Sequence, residues 1–98
     1  MILSNEPGYY REGHFGIRIE NLIVVRAADP VEGGDDRPML IFETITFAPI
    51  DRRLIDATAL DPVEKDWIDG YHAQVAAKIG PHLPPDTANW LKHATAPL

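Results

Sequence analysis

The chain has 98 residues, 45% of them hydrophobic, which is enough for one small domain with an apolar core. Its 15 acidic and 9 basic side chains give a net charge of −6, which disfavours nucleic acid and anionic membranes as partners. The absence of cysteine excludes disulfides, thiolate metal sites and cysteine nucleophiles. The amino terminus has no signal-peptide pattern, and no apolar run approaches the roughly twenty residues that span a bilayer, so we expect a cytoplasmic protein.

The amino-terminal half of the sequence predicts β-structure. Turn-forming residues interrupt segments that are rich in β-branched and aromatic side chains. In chain order we predict a strand over 1–6, a turn at Pro7-Gly8, a loop over 9–15, a long strand over 16–28, a loop over 29–38 and a strand over 39–47.

The carboxyl-terminal half predicts helices. Residues 61–64, Asp-Pro-Val-Glu, combine an N-cap, proline at the first position and glutamate at the third. Apolar side chains recur every four residues from Val63 onward, and Gly80-Pro81 predicts a glycine C-cap that ends this amphipathic helix. A short second helix is predicted after Asp86. The predicted fold class is therefore α+β, with antiparallel strands followed by two C-terminal helices.

Two glutamates are the main candidates for chemistry. If strand 1–6 pairs with residues 16–25, Glu6 and Glu20 come close on a sheet, where their repulsion requires a shared proton, Arg18 or a cation. A dinuclear site for divalent metal ions would satisfy both carboxylates, with Arg18 orienting one of them. Two carboxylates are too few ligands on their own, and a solvated surface pair remains the alternative.

The other titratable residues give weaker signals. The four histidines have no metal-binding spacing, so each is expected to face solvent or to hydrogen-bond within a helix: His14, His72, His82 and His93. Ser4 has no nucleophile-elbow motif around it, and Asp35-Asp36 lacks the alternating ligands of a calcium loop.

The segments that contain these glutamates resemble a known family. Residues 4–10, Ser-Asn-Glu-Pro-Gly-Tyr-Tyr, and 16–21, Gly-Ile-Arg-Ile-Glu-Asn, closely resemble the end of the catalytic domain of Xaa-Pro aminopeptidases (aminopeptidase P). These enzymes are pita-bread metallopeptidases. The resemblance continues through residues 42–51, 67–72, 90–91 and 94–95, which look like the C-terminal extension of the larger aminopeptidase P enzymes.

The resemblance implies a role for each matching residue. The family site holds two divalent ions, commonly Mn(II) with Zn or Co as alternatives, through two Asp, one His and two Glu. Glu6 matches the Glu beside the His, Glu20 matches the bridging Glu, Arg18 matches an Arg bonded into the ligand shell, and Tyr10 matches a Tyr at the substrate pocket. The implied reaction is attack by a metal-bridged hydroxide on peptides with proline at the second position, which releases the residue before proline.

The resemblance also predicts an incomplete site. In the family the Asp and His ligands precede the position of Glu6, so we expect a C-terminal fragment that is inactive alone and binds no metal tightly. Its predicted parts are the end of the catalytic domain over 1–30, a loop over 31–38 and the C-terminal extension over 39–98. The alternative is a standalone, non-catalytic dimerisation module. In either case exposed sheet edges predict self-association or a homodimer.

Overall fold

A computed structural model describes residues 1–98, and the chain forms two compact units, Met1–Thr46 and Phe47–Leu98. The first unit contains five strands: β1 (Ile2–Asn5), β2 (Gly8–Arg11), β3 (Phe15–Arg18), β4 (Asn21–Ala27) and β5 (Leu40–Thr44). The second unit contains two α-helices, α1 (Pro62–Ile79) and α2 (Pro85–Ala94), and two 3-10 turns (Arg52–Leu54 and Gly80–His82). The predicted fold class, antiparallel strands followed by two helices, is confirmed.

The first four strands form one long hairpin. β1 pairs with β4 in antiparallel orientation, with Asn5 opposite Asn21 as the last pair. β2 pairs with β3, and its first pair, Gly8 opposite Arg18, continues the same register. Both ladders therefore belong to a single hairpin in which Glu6 falls opposite Glu20, at the interruption between them.

Proline explains where the ladder is interrupted. Pro7 has no N–H to donate, so only the Ile19 amide bridges this point, donating to the Pro7 carbonyl over 3.1 Å. The prediction of one unbroken strand over 16–28 is wrong for this reason. The predicted loop over 9–15 is also wrong, because β2 and β3 pair and only residues 12–14 form the turn, where Gly13 takes a left-handed φ of 71°.

β5 completes a three-stranded sheet with the order β1-β4-β5. It pairs with β4 from Ala27 opposite Leu40 to Ile23 opposite Thr44, which is shorter than the predicted strand over 39–47. The Ile45 amide extends this pairing by donating to the Leu22 carbonyl over 2.9 Å. The sheet exposes many large apolar side chains, as expected, among them Ile2, Leu40, Ile41 and Phe42.

The second unit contains the buried apolar core. At the start of α1 the Asp61 carboxylate accepts from the Glu64 amide (2.8 Å) and the Glu64 carboxylate accepts from the Asp61 amide (3.0 Å). This reciprocal pair is a capping box, and it confirms the helix start predicted from Asp-Pro-Val-Glu. The helix ends with Gly80 as its C-cap, as predicted, but Gly80 has a right-handed φ of −48° instead of the usual left-handed conformation, and the chain continues into a 3-10 turn. The core cluster consists of Tyr71, Val75 and Leu91, with Phe47, Ile50, Ile79 and Leu83 packed against it. Neither helix combines the length and apolar character needed to cross a bilayer.

Candidate metal-ligand site

One face of the hairpin carries all four residues that the sequence analysis selected. Side chains alternate between the two faces of a strand, and the common register places Glu6 opposite Glu20 and Tyr10 opposite Gly16. Arg18, between Gly16 and Glu20 on its strand, lies on the same face. The hairpin therefore brings Glu6, Tyr10, Arg18 and Glu20 together through local pairing alone.

Arg18 lies between the two carboxylates. Its Nη1 atom is 3.1 Å from Oε2 of Glu6 and 3.8 Å from Oε2 of Glu20. The three side chains are 42–49% exposed, so solvent screens these ion pairs. The hydrogen bond to Tyr10, followed by the charges of the two glutamates, raises the pKa of Arg18 above its ordinary value. The guanidinium therefore stays charged and offsets the repulsion between the carboxylates.

Tyr10 holds the other edge of the guanidinium. Its hydroxyl oxygen accepts a hydrogen bond from Arg18 Nε over 2.7 Å. The ring reaches Arg18 across two glycines: a Cβ on Gly16 would lie 2.8 Å from Tyr10 Cδ1, and one on Gly8 would lie 2.7 Å from the hydroxyl. No side chain fits between the ring and the strands at these positions. This role was not predicted from the sequence, although both glycines share the two-residue period of Glu6 and Arg18.

Ser4 completes the contacts of Glu6. Its hydroxyl donates to Oε1 of Glu6 over 2.6 Å, while Oε2 of the same carboxylate faces Arg18. From the sequence, Ser4 was considered only as a nucleophile. Its position two residues before Glu6 on the same strand face was the signal for a supporting hydrogen bond.

The opposite face of the sheet carries a ladder of polar side chains, which the sequence analysis also missed. Asn21 is only 6% exposed. Its carbonyl oxygen accepts from Asn5 Nδ2 over 3.3 Å, and its amide nitrogen donates to Thr44 Oγ1 over 3.1 Å. Asn21 therefore links all three strands of the sheet immediately next to Glu20.

The donor set defines what this face can bind. Carboxylate oxygens are hard ligands suited to divalent cations such as Mn²⁺. The structure contains no cluster of three or more His, Cys, Asp or Glu side chains that could hold a metal ion. His14 lies in the hairpin turn, and the other three histidines belong to the second unit. The chain thus offers two neighbouring carboxylates, which are too few ligands for a metal site by themselves.

His72 lies in the second unit and is fully buried. Its Nε2 atom accepts a hydrogen bond from the Ile50 amide over 3.0 Å, which confirms the expectation of a hydrogen-bonded helix histidine and places the proton of the neutral ring on Nδ1. Burial, followed by the charge of Arg52, lowers the pKa of His72 below its ordinary value. His72 therefore serves the packing of α1 against residues 47–55.

A protein-family model described as the C-terminal region of peptidase_M24 matches residues 38–98, more than half of the chain. The chain belongs to this family. The match begins just before β5, so the family's C-terminal region includes Thr44 and the whole second unit, while the hairpin with Glu6 and Glu20 precedes it.

Relatives of this family member are similar over its whole length. A probable Xaa-Pro aminopeptidase P of Arthroderma otae is 44% identical over 99 residues, covering 99% of this chain and 16% of the relative. One of Tuber melanosporum is 45% identical over 100 residues, covering all of this chain and 16% of the relative. The chain therefore spans about one sixth of the length of these relatives.

A solved structure agrees with these relatives. The X-prolyl aminopeptidase of Caenorhabditis elegans, described as a cytosolic enzyme with a di-nuclear active site, superposes with a TM-score of 0.85 at 33% identity. The match covers 99% of this chain and 16% of that enzyme. The predicted resemblance to aminopeptidase P and its pita-bread fold is confirmed.

Proposed function

We propose that this chain is the C-terminal part of a metal-dependent, cytoplasmic Xaa-Pro aminopeptidase. The enzyme would hydrolyse the peptide bond before a proline in second position and release the N-terminal residue. The observation that carries the proposal is the placement of Glu6 and Glu20 on one hairpin face, 3.1 and 3.8 Å from the same Arg18 nitrogen. The names of the relatives and the di-nuclear site of the C. elegans enzyme support it.

Glu6 and Glu20 would be metal ligands, and their carboxylates fit two divalent ions, with Mn(II) proposed and Zn or Co as alternatives. The chemistry that such ions supply when bound is polarisation of the peptide carbonyl and activation of water. Arg18 would offset the repulsion between the two carboxylates and hold them close to one another. Ser4 would donate a hydrogen bond to the other carboxylate oxygen of Glu6. Tyr10 would fix the position of Arg18 at the edge of the substrate pocket.

The chain alone would be inactive. It supplies two carboxylates, and the resemblance implies two Asp and one His in addition, which the described residues do not place near Glu6 and Glu20. Metal affinity depends on the number and preorganisation of ligands, so we expect at most weak binding by these 98 residues. The three parts predicted from the sequence, 1–30, 31–38 and 39–98, remain our proposal for how the chain divides within the longer enzyme. Self-association through the exposed sheet remains a separate prediction.

A chimera tests the function. The matching 16% of the C. elegans enzyme is replaced by this chain, and hydrolysis of an Xaa-Pro peptide is measured with Mn²⁺. We expect the chimera to be active and both Glu6→Gln and Glu20→Gln to reduce its activity to background, because each removes a metal ligand. Glu12→Gln in the exposed hairpin turn is the matched control and should leave activity unchanged. Full activity of Glu6→Gln and Glu20→Gln, or turnover by the isolated chain, would contradict the proposal.

A further inference from the structure

Glu6 and Glu20 lie at the interruption of the hairpin, where one backbone hydrogen bond is missing. Glu6 and Glu20 fall between the two ladders, and Pro7 cannot donate the hydrogen bond that would complete the pair after them. The backbone bond nearest to them on the turn side is the one from the Ile19 amide to the Pro7 carbonyl. The two ladders set the register on either side, and a side-chain contact beside the missing bond would add to it.

The polar ladder on the opposite face supplies this contact. Asn5 and Asn21 form the last cross-strand pair before Glu6 and Glu20, and their side chains are hydrogen-bonded to each other. Asn21 is buried, so an unsatisfied amide there would be costly, and a slipped register would break its bonds. The ladder therefore favours the one register that sets Glu6 opposite Glu20.

β5 anchors this ladder from the third strand. The Asn21 amide donates to Thr44 Oγ1, and the next residue, Leu22, donates its backbone N–H to Thr46 Oγ1 over 2.9 Å. Both threonines belong to the segment matched by the family's C-terminal region. That region thus contacts the residues that directly follow Glu20.

We propose that Asn21 and Thr44 are positioning residues through which the C-terminal region holds the carboxylate pair in register. This inference rests on the proposed function only for the statement that the two carboxylates bind a metal. It assigns the C-terminal region a part in building the site, through a side-chain hydrogen bond on the face away from the carboxylates.

Amide hydrogen exchange of Thr44→Val and Thr44→Ser in this chain provides the test. Valine keeps the shape of threonine and favours strands more than serine does, but only serine retains the hydroxyl. We expect Thr44→Val to accelerate exchange of the Ile19 amide roughly twofold to tenfold, the effect of one hydrogen bond, and Thr44→Ser to leave it near the original rate. The Val25 amide, bonded to the Met1 carbonyl at the far end of the ladder, is the internal control.

The opposite order of the two variants, no change at Ile19, or an equal change at Val25 would overturn the proposal. A second measurement needs no variant: the side-chain amide protons of Asn21 should exchange slowly and show a nuclear Overhauser effect to the Thr44 methyl group. Absence of that effect in the folded chain would also overturn the proposal.

Broadening of the Glu6 and Glu20 signals by added Mn²⁺ separates this inference from the proposed function. We expect Thr44→Val to need several-fold more Mn²⁺ than Thr44→Ser for the same broadening. If the exchange results hold but Mn²⁺ broadens neither glutamate at any concentration, the register role stands and the metal-ligand role fails.

Discussion

The Tyr10 hydroxyl oxygen lies 2.7 Å from Arg18 Nε, on the side of the guanidinium away from the nitrogen that contacts Glu6 and Glu20. Arg18 is therefore held at both ends of its planar group. Since a guanidinium presents its donors in a rigid fork, fixing one edge also fixes the direction of the other. Tyr10 thus acts on the carboxylates through Arg18.

We expect Tyr10→Phe to release the Nε edge of Arg18 while leaving the ring on its glycines. The Arg18 Nε–H signal should shift upfield and exchange faster with water, because its acceptor is gone. Nuclear magnetic resonance of the ¹⁵N-labelled chain measures both changes. Tyr9→Phe is the matched control, because Tyr9 lies on the other face and packs against Phe15. An equal response to the Tyr9 substitution would refute the assignment.

Gly16→Ala should destabilise the hairpin by less than the cost of about 1–3 kcal/mol that overpacking has in a well-packed core, because the Tyr10 ring is exposed. The added Cβ would stand 2.8 Å from Tyr10 Cδ1 and displace the ring. In a Tyr10→Ala background the same change should be neutral or slightly stabilising, because alanine suits a strand better than glycine. Urea unfolding followed on the resonances of residues 8–18 gives this double-mutant cycle. An equal cost in both backgrounds would show that the ring is not the cause.

The second unit should lose stability as the solution is acidified. The pKa of His72 is lowered from 6.5 by burial, so the unfolded chain binds the proton more readily than the folded one. The stabilisation from His72 is full above about 6.5 and declines as pH falls from there towards the folded-state pKa. Trp67 and Trp90 both lie in this unit, so tryptophan fluorescence in urea should give a lower midpoint at pH 5 than at pH 7.5.

His72→Gln provides the comparison for that measurement. Glutamine retains a carbonyl oxygen that can accept from the Ile50 amide but cannot take up a proton in this range. We expect the difference between the midpoints at pH 7.5 and pH 5 to shrink in this variant. An unchanged difference would assign the acid sensitivity to other groups.

Loss of the N-cap of α1 should also be measurable by tryptophan fluorescence. Asp61→Ala removes the acceptor of the Glu64 amide, and substitutions of this kind cost about 1 kcal/mol. Asp61→Asn keeps an acceptor oxygen and should retain most of the stability. If both variants unfold at the same urea concentration, the cap does not contribute as the geometry implies.

The sequence predicts most of the candidate site and only part of the fold around it. Glu6, Arg18, Glu20 and Tyr10 could be chosen because carboxylates on strands are unusual and because their neighbours match a known family. The interruption of the strand ladder at Pro7 could have been predicted from the missing N–H of proline. The apolar run in the partner strand instead favoured one continuous strand over 16–28. The right-handed Gly80 shows the limit of local rules: glycine permits a left-handed C-cap but does not require one.

The contacts that hold the site depend on pairing between strands and could not be read from one strand. Gly8 and Gly16 matter only because the register lays the Tyr10 ring across both. Asn21 contacts Thr44 only after β5 has joined the sheet. The loop between β4 and β5 is long, so the sequence does not indicate which residues of the two strands pair. Each of these contacts is non-local in sequence, whereas propensities and turn signals describe neighbouring residues.

The single register of the hairpin has a consequence for the order of folding. Once the turn at residues 12–14 has formed, strand pairing can extend from it past Arg18 to Glu6 and Glu20. Hairpins form in about 1–10 μs. β5 has to close the longer connection from Ala27 to Leu40 before Thr44 reaches Asn21, which costs more chain entropy. A nascent chain would therefore bring its two glutamates together early and hold them firmly only once the C-terminal region arrives.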